Sequence, residues 1–270
     1  MCRLLGYVAE RPTAVVDVLG EEGLESFTSL TAVHGDGWGM AWHDPADDST
    51  RSASSAASAA VDPAYDELVR SELGAAGLVH LRWATGGLPV SEANTHPFID
   101  GGYAFAHNGH VSPISRLEEL LTPRSREALI GETDSERYFR FVLQTIEEHG
   151  DEAEGATRAI AQLVKEFPDC SLNALMLTPD RMFAIHINSR ATSPLRALRE
   201  MFDNEDEIPS RHTSEYFAMD YRVTPDAIHV ISSGLDEPGW DPVPADTAVM
   251  VDLATRKVTR LDPLAAMQTE

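Results

Sequence analysis

A cysteine stands directly behind the initiator methionine, in the opening run Met1-Cys2-Arg3-Leu4-Leu5-Gly6-Tyr7. The apolar residues behind it predict a short strand over residues 1–9. We expect Met1 to be removed, because cysteine is a small second residue, and removal would leave a thiol and a free α-amine on one carbon. An α-amine titrates at about pH 8, so part of it is an unprotonated base at neutral pH. Cys2 would then hold both a nucleophile and its proton acceptor. The alternative is an ordinary small residue at a chain end.

The size of the chain and its cysteine content limit the class of protein. A chain of 270 residues can bury a substantial core. No apolar run approaches the roughly 18 residues needed to span a bilayer. No basic segment followed by an apolar region begins the chain, so we expect a cytoplasmic protein. The two cysteines, Cys2 and Cys170, lack metal-like spacing and favour a reducing compartment, with Cys170 as a core residue.

The charge balance excludes two kinds of partner. The formal net charge is −23, from 44 acidic and 21 basic residues. Nucleic acids and anionic membranes both require a basic surface, so we expect neither as a partner. Composition does not change along the chain, which favours a single domain over residues 1–270.

Local patterns predict strands in the first half of the chain. Glycine alternates with large apolar residues over 33–43, which predicts a strand approached closely by another backbone or by a ligand. The low-complexity stretch 49–60 predicts a solvent loop or hairpin tip. Residues 77–84 predict a buried strand. A further strand at 103–106 runs into Asn108-Gly109, where we expect a tight turn.

Two helices and more strands are predicted in the second half. The polar run 133–136 has the residues of a helix start, and a second helix is expected over about 151–166. Strands are then predicted near 172–178, 181–187, 215–219, 227–232 and 246–252. Strands, two central helices and strands again indicate a layered α+β fold.

Four motifs in this order resemble the glutaminase domain of the class II glutamine amidotransferases, a family of N-terminal cysteine hydrolases. They are Met1-Cys2, the run His80-Leu-Arg82-Trp83-Ala84-Thr85, the pair Asn94-Thr95-His96-Pro97-Phe98 and His107-Asn108-Gly109, and the run Gly131-Glu132-Thr133-Asp134-Ser135-Glu136. The resemblance covers nearly the whole chain. It implies the four-layer αββα sandwich of N-terminal nucleophile hydrolases: two sheets face to face, with helices outside.

The resemblance also assigns catalytic roles. Cys2 is the expected nucleophile, and its attack on an amide carbon generates an oxyanion. The side-chain amide of Asn108 and the backbone N–H of Gly109 are the expected oxyanion donors. Glycine at that position lets the N–H point into the site without a side chain in the way.

Five further residues are expected to bind the substrate. A guanidinium matches a carboxylate in two-point geometry, so Arg82 is assigned to the α-carboxylate of a glutamine-type substrate. Asp134 is assigned to the α-ammonium, and Thr85 to a further polar contact near the carboxylate. Trp83 and His96 are expected in the wall of the site.

Structural alternatives exist for the same residues. Arg82 could serve a structural ion pair, Asn108-Gly109 only a hairpin turn, and Asp134 a plain helix cap. The spacing of His96, His107 and His110 matches no common zinc motif, so we expect no metal and no cofactor. His96 and His107 are then expected to frame the site.

Departures from the pattern bear on the reaction. Family members that build amino sugars or nucleotides carry a histidine after the threonine, where this chain has Gly86. They also carry an acceptor domain, for which the resemblance leaves little room. The departures favour hydrolysis over transfer of ammonia to an acceptor. The bond cleaved would be a glutamine or γ-glutamyl side-chain amide, and the products would be glutamate and ammonia or an amine.

Other functions are compatible with the same residues. One is a γ-glutamyl conjugate hydrolase of the kind used in ergothioneine biosynthesis, and another is a glutaminase subunit that donates ammonia to a separate synthase. A third is an inactive module that senses glutamine. In each case the expected partner is a small molecule with a γ-glutamyl group. Homo-oligomers and a synthase partner stay open.

Overall fold

The computed structural model describes residues 2–84, 87–233, 235 and 238–266. Strands dominate both ends of this chain. In chain order they are β1 (Cys2–Thr13), β2 (Trp38–Asp44), β3 (Ser49–Ser55), β4 (Gly74–Arg82), β5 (Phe98–Asp100), β6 (Tyr103–His110), β7 (Ser171–Leu177), β8 (Arg181–His186), β9 (Met219–Val223), β10 (Ala227–Ser232), β11 (Asp241–Pro242), β12 (Thr247–Asp252) and β13 (Val258–Leu261).

The longest helices lie between the strands of the first half and in the middle of the chain. The helices are α1 (Val15–Ser29), α2 (Pro63–Ser71), α3 (Ile114–Glu119), α4 (Pro123–Glu127), α5 (Asp134–His149), α6 (Glu152–Glu166), α7 (Leu195–Met201) and α8 (Pro263–Ala266). Among the described residues, no helix has the length and apolar content needed to cross a membrane.

The strands form two antiparallel sheets. The first has the order β11-β9-β10-β1-β4-β2-β3, and the second has the order β13-β12-β8-β7-β6-β5. In the first sheet β1 pairs with β4 in a register that sets Cys2 opposite Arg82. In the second sheet β6 pairs with β7 and sets Asn108 opposite Asn173. The N-terminal strand therefore lies inside a sheet rather than at an edge.

Alternation of side chains along the strands builds three apolar layers. Between the sheets lie mostly small and aliphatic side chains, among them Leu4, Leu78, Ala106 and Leu175. The outer face of the first sheet packs against α1 and α2. The outer face of the second sheet packs against α3, α5 and α6. The order is helix, sheet, sheet, helix, which confirms the predicted four-layer αββα sandwich.

The start of α5 follows from its polar residues, as predicted. The Thr133 hydroxyl accepts a hydrogen bond from the Glu136 N–H at 3.2 Å. The Glu136 carboxylate in turn accepts from the N–H groups of Ile130 and Gly131, each at 2.8 Å. These contacts satisfy donors that a helix start leaves unpaired, and they hold the preceding loop against the helix.

The glycine alternation over 33–43 marks a close backbone approach, also as predicted. A Cβ on Gly39 would lie 1.9 Å from the carbonyl oxygen of His96. No side chain fits at that distance. The segment that carries His96 therefore crosses directly over β2.

The predicted turn at Asn108-Gly109 is wrong. Both residues lie inside β6, and they pair with Asn173 and Leu172 of β7. Asn-Gly favours a turn only through local backbone preference, and here a complete strand neighbour provides backbone partners along the whole segment. The pair therefore presents its groups from a strand.

Two other local predictions are also wrong. Most of the low-complexity stretch, Ser49–Ser55, forms the edge strand β3 instead of a loop, because β2 offers it a free edge. The strand predicted at 215–219 begins only at Met219 and continues to Val223. Small polar residues are poor strand formers by composition, but pairing with a neighbour outweighs that preference.

Candidate active site

The site lies where the first strand of one sheet faces the second sheet. Cys2 begins β1 and is buried, and Asn108 lies in β6 with no exposed surface. The backbone N–H of Cys2 donates a hydrogen bond to the Oδ1 atom of Asn108 at 2.8 Å. The two residues are far apart in the chain, so the packing of the two sheets creates this contact.

The side-chain amide of Asn108 has one unused donor. Its Nδ2 atom is buried and has no hydrogen-bond partner among the described residues. The Ser171 hydroxyl donates to the Asn108 carbonyl at 3.0 Å and fixes the backbone. A buried amide N–H without a partner is costly, which is typical of a group kept for a ligand or a reacting atom.

Gly109 lies next to Asn108 where β7 approaches closely. A Cβ on Gly109 would lie 2.0 Å from the Ser171 carbonyl oxygen and 2.4 Å from the Nε2 atom of His107. Any other residue would push β6 and β7 apart. The strand pairing therefore requires glycine at this position.

The Cys2 thiol is acidic for a buried cysteine. Burial by itself raises its pKa, but the terminal amine, the neighbouring His80 ring with its hydrogen bond to the thiol, and a contact to the Trp83 backbone together outweigh burial. The net pKa falls from 9.0 to about 6. A large fraction of Cys2 is then thiolate at neutral pH, and the thiolate is the nucleophilic form.

Arg82 ends β4 opposite Cys2, with only 3% of its surface exposed. Its guanidinium donates to the carbonyl oxygens of Pro89 at 3.1 Å and Asp36 at 3.5 Å. Burial lowers its pKa. Among the described residues no carboxylate lies within ion-pair distance of it, so the structural ion pair considered as an alternative is not observed there. The guanidinium keeps capacity for an anionic ligand.

The chain around the end of β4 is held by backbone contacts. The Asp36 N–H donates to the Arg82 carbonyl at 2.9 Å, and the Asp36 carboxylate accepts from the Ala84 N–H at 2.8 Å. Asn94 bridges two loops, because it donates to Pro89 and accepts from the Glu132 N–H. Thr85, predicted to contact the substrate, lies outside the described residues.

Asp134 is the first residue of α5 and is 3% exposed. The cap of this helix is Thr133, so the simple capping role does not belong to Asp134. Its Oδ2 atom accepts from the Val111 N–H at 2.6 Å and lies 3.7 Å from the Nδ1 atom of His110. The carboxylate therefore lies just past the end of β6, the strand that carries Asn108.

The His96 and His80 rings contact each other beside Cys2 with their planes tilted by 34°. Their ring centroids are 4.1 Å apart, and His96 also packs on Phe98 at 4.6 Å. Both rings are buried, and burial lowers the pKa of His96 well below its ordinary value. Sequence reasoning gave His80 no role. Its position two residues before Arg82 was the available signal, because residues two apart on a strand share a face.

His107 lies on the opposite face of β6 from the Cys2 site. Its Nδ1 atom lies 2.9 Å from the Ser135 hydroxyl, and its Nε2 atom lies 2.8 Å from the Ser171 carbonyl. Burial lowers its pKa to about 4, so the ring is neutral at pH 7. His107 connects β6 to α5 and β7 instead of lining the site, unlike His96.

A second group of buried side chains supports Cys2 from behind, and sequence reasoning missed it. Arg3 donates to the Cys2 carbonyl at 2.8 Å and lies 2.9 Å from the Nε2 atom of His212. That nitrogen also lies 2.8 Å from His34, and the Arg3 guanidinium stacks 4.2 Å above the Tyr216 ring. The available signal was a charged residue inside a predicted apolar strand.

The tryptophans divide between site and core. Trp83, half-buried, follows Arg82, and its ring makes edge contacts with His34 at 6.1 Å and Tyr216 at 6.3 Å. Trp38 is buried in the core and donates its Nε1–H to Asp62 at 2.8 Å. Of these two, Trp83 is the one that lies beside Arg82.

This arrangement agrees with a match to a known family. The model of the class II glutamine amidotransferases matches residues 1–202. The chain belongs to this family. The match includes Cys2, Arg82, Asn108, Gly109 and Asp134.

A curated relative matches this class II chain over part of its length. The glutamine–fructose-6-phosphate aminotransferase (isomerizing) of Haemophilus influenzae is 33% identical over 136 residues, which is 50% of this chain and 21% of that protein. The chain thus matches about a fifth of the length of that relative.

Solved structures confirm the N-terminal nucleophile type of fold. A glutamine aminotransferase class-II domain protein from Silicibacter pomeroyi matches with a TM-score of 0.63 at 18% identity, over 97% of this chain and 99% of that one. The glutamine phosphoribosylpyrophosphate amidotransferase of Bacillus subtilis matches with a TM-score of 0.63 at 16% identity, over 97% of this chain and 49% of that one.

Proposed function

We propose that this class II chain hydrolyses the side-chain amide of glutamine or of a γ-glutamyl compound through a γ-glutamyl thioester on Cys2. Removal of Met1 would expose the α-amine of Cys2. The products would be glutamate and ammonia, or glutamate and an amine.

The observation that carries the proposal is the double role available to Asn108. Its Oδ1 atom accepts from the Cys2 nitrogen, the atom that becomes the α-amine, at 2.8 Å. Its Nδ2 atom is buried without a partner among the described residues. One side chain can therefore orient the base and donate a hydrogen bond to the oxyanion that forms at the amide carbon of the substrate.

The reaction then follows from these groups. The Cys2 thiolate attacks the amide carbon, and the α-amine holds the proton that the thiol has lost. The oxyanion receives hydrogen bonds from Asn108 and from the Gly109 N–H. Collapse breaks the carbon–nitrogen bond, and the α-ammonium protonates the leaving nitrogen. A water molecule, deprotonated by the same amine, cleaves the thioester and restores the thiol.

Recognition of the substrate head depends on two opposite charges. Arg82 would bind the α-carboxylate with its free guanidinium donors, and Asp134 would bind the α-ammonium through its remaining carboxylate oxygen. Trp83 and His96 would form walls of the site, and Thr85 would add a polar contact.

An electrophilic glutamine analogue tests the proposal. We expect 6-diazo-5-oxo-norleucine to add one equivalent to the chain, with the adduct on Cys2 as the first residue in peptide mass spectra. Excess glutamine should slow the labelling. An adduct on Cys170, or labelling of a chain that keeps Met1, would contradict the proposed nucleophile.

Replacement of Asn108 should remove oxyanion stabilisation. We expect Asn108→Ala to lower kcat roughly 10²–10³-fold, because one oxyanion donor is lost. Asn108→Asp is the matched variant, since it keeps an oxygen for the Cys2 amine but loses the N–H donor. Glutamate release under saturating substrate measures both. Full activity of Asn108→Asp would show that the amide donor is not used.

Replacement of Arg82 should weaken substrate binding selectively. We expect Arg82→Lys to lower kcat/KM for glutamine roughly 10- to 100-fold, because lysine cannot make the two-point contact to a carboxylate. Steady-state kinetics with glutamine and with its α-amide derivative compare Arg82→Lys with the wild type. The loss should be much smaller for the derivative, which lacks the carboxylate. Equal losses for both substrates would contradict the assignment.

One observation favours a second candidate, a glutaminase subunit of a separate synthase. The match covers only 21% of the length of the Haemophilus influenzae aminotransferase. Most of that protein therefore lies outside the part that this chain matches. A subunit of this kind would release little glutamate by itself and much more in the presence of its synthase. Steady release by the purified chain alone would favour the hydrolase.

A further inference from the structure

Three potential metal ligands converge at the start of β1. The Sγ atom of Cys2 and one ring nitrogen each of His80 and His96 all lie within 4.8 Å of one another. All three residues are buried, with exposed fractions of 5%, 0% and 3% in that order. In the sequence, the spacing of His96 to His107 and His110 was tested for a zinc motif. In the folded chain His96 lies beside His80 instead.

The two imidazoles are unusual for buried histidines. Neither nitrogen of His96 has a hydrogen-bond partner among the described residues, and the hydrogen bond of the His80 ring is to the Cys2 thiol itself. By contrast, the buried ring of His107 has a partner at each nitrogen. Buried polar atoms are normally paired, so a buried imidazole with both nitrogens unpaired beside a thiol points to a ligand that takes its lone pair.

We propose that Cys2, His80 and His96 bind one Zn²⁺ ion, which blocks the nucleophile reversibly. Thiolate and imidazole are the preferred ligands of this ion, with bond lengths of about 2.0–2.3 Å. Shifts of about 1 Å would bring the three atoms into a tetrahedral arrangement. After removal of Met1, the Cys2 amine would supply a fourth ligand in a five-membered chelate ring.

Binding exchanges the thiol proton for the metal ion and changes no oxidation state. Coordination withdraws electron density from the sulfur and holds it in the coordination sphere of the metal, which lowers its reactivity toward an amide carbon. The metal form would therefore be inactive, and removal of zinc would restore the enzyme. The inactivation rests on the proposed role of Cys2 as nucleophile, whereas the metal site itself does not.

Alkylation of the wild-type protein tests the site without any enzyme assay. Chelator-treated protein is exposed to iodoacetamide with and without one equivalent of Zn²⁺, and peptide mass spectra follow Cys2 and Cys170 separately. We expect zinc to slow alkylation of Cys2 at least about tenfold and to leave Cys170 unchanged. Cys170 is half-buried and is not among the three converging ligands, so it is the internal control. Equal alkylation of Cys2 with and without zinc would overturn the proposal.

Binding measurements identify the ligands. We expect equilibrium dialysis to give one Zn²⁺ per chain, and Co²⁺ to give the charge-transfer band of a cobalt–thiolate bond. His96→Gln should weaken zinc binding by more than the roughly 10–100-fold seen for residues that only support a ligand. His149→Ala, which alters an exposed histidine on α5, should change nothing. Unchanged affinity of a folded His96→Gln variant, or a Co²⁺ spectrum without the thiolate band, would refute the site.

Discussion

Cys2→Ala should abolish glutamate release while leaving the fold intact. The variant loses the atom that attacks the amide carbon, and removal of a catalytic nucleophile costs roughly 10⁴–10⁶-fold in kcat. Alanine is also small, so Met1 removal should continue and the α-amine should remain. A coupled glutamate assay measures the loss, and circular dichroism checks the fold.

Cys170→Ala is the matched control for this prediction. Cys170 packs against the core between the second sheet and its helices. We expect this variant to keep wild-type activity. Substantial glutamate release by Cys2→Ala, or a comparable loss in Cys170→Ala, would contradict the assignment of the nucleophile.

The protein should lose stability steeply between pH 6.5 and pH 4. Five histidines carry depressed pKa values in the fold, mainly because burial disfavours their charged form, and for three of them the size of the shift sets the pH window. The values are about 4 for His107, about 3 for His212 and about 4 for His229. The positive charge of Arg3 contributes to the shift of His212.

Stability falls with falling pH because the unfolded state binds protons at a higher pH than the folded state. The unfolded chain protonates its histidines below a pKa of about 6.5, whereas these three stay neutral in the fold until much lower pH. Each then reduces the free energy of unfolding by about 1.4 kcal/mol per pH unit within the window. Together they remove about 4 kcal/mol per pH unit, a large share of the roughly 5–15 kcal/mol that stabilises a typical protein.

Urea unfolding at pH 7, 6 and 5 measures this effect. The free energy of unfolding should fall only slightly from pH 7 to 6.5 and steeply below that. His107→Gln should show a shallower dependence, because one titrating group is gone, although its stability at pH 7 is lower. His149→Ala changes an exposed histidine and should follow the wild type. A constant free energy of unfolding down to pH 5 would refute the prediction.

Much of the fold was predictable from local sequence. The helix start at Thr133 depends on hydroxyl and carboxylate groups within four residues of one another, so the sequence carries it. The close approach at Gly39 was also predictable, because glycine alternation leaves room only for a backbone or a ligand. The low-complexity stretch that became β3 was not, since its strand depends on the free edge of β2.

The candidate site was also predictable only in part. Its residue types and order, from Cys2 and Arg82 to Asn108 and Asp134, were recognisable in the sequence as those of class II glutamine amidotransferases. Their contacts were not. The Cys2–Asn108 hydrogen bond, the His80–His96 ring contact and the Arg3–His212 pair all join residues that are separated in the chain.

The sequence by itself determined that a cysteine follows Met1 in an apolar strand, and which polar residues accompany it. Tertiary structure alone decided that Asn108-Gly109 lies in a strand, that His107 points away from the site and that His96 meets His80 beside the thiol. The physical reason is the separation along the chain over which each effect acts. Strand alternation and helix capping act over a few residues, whereas the register and packing of two sheets decide which distant side chains meet.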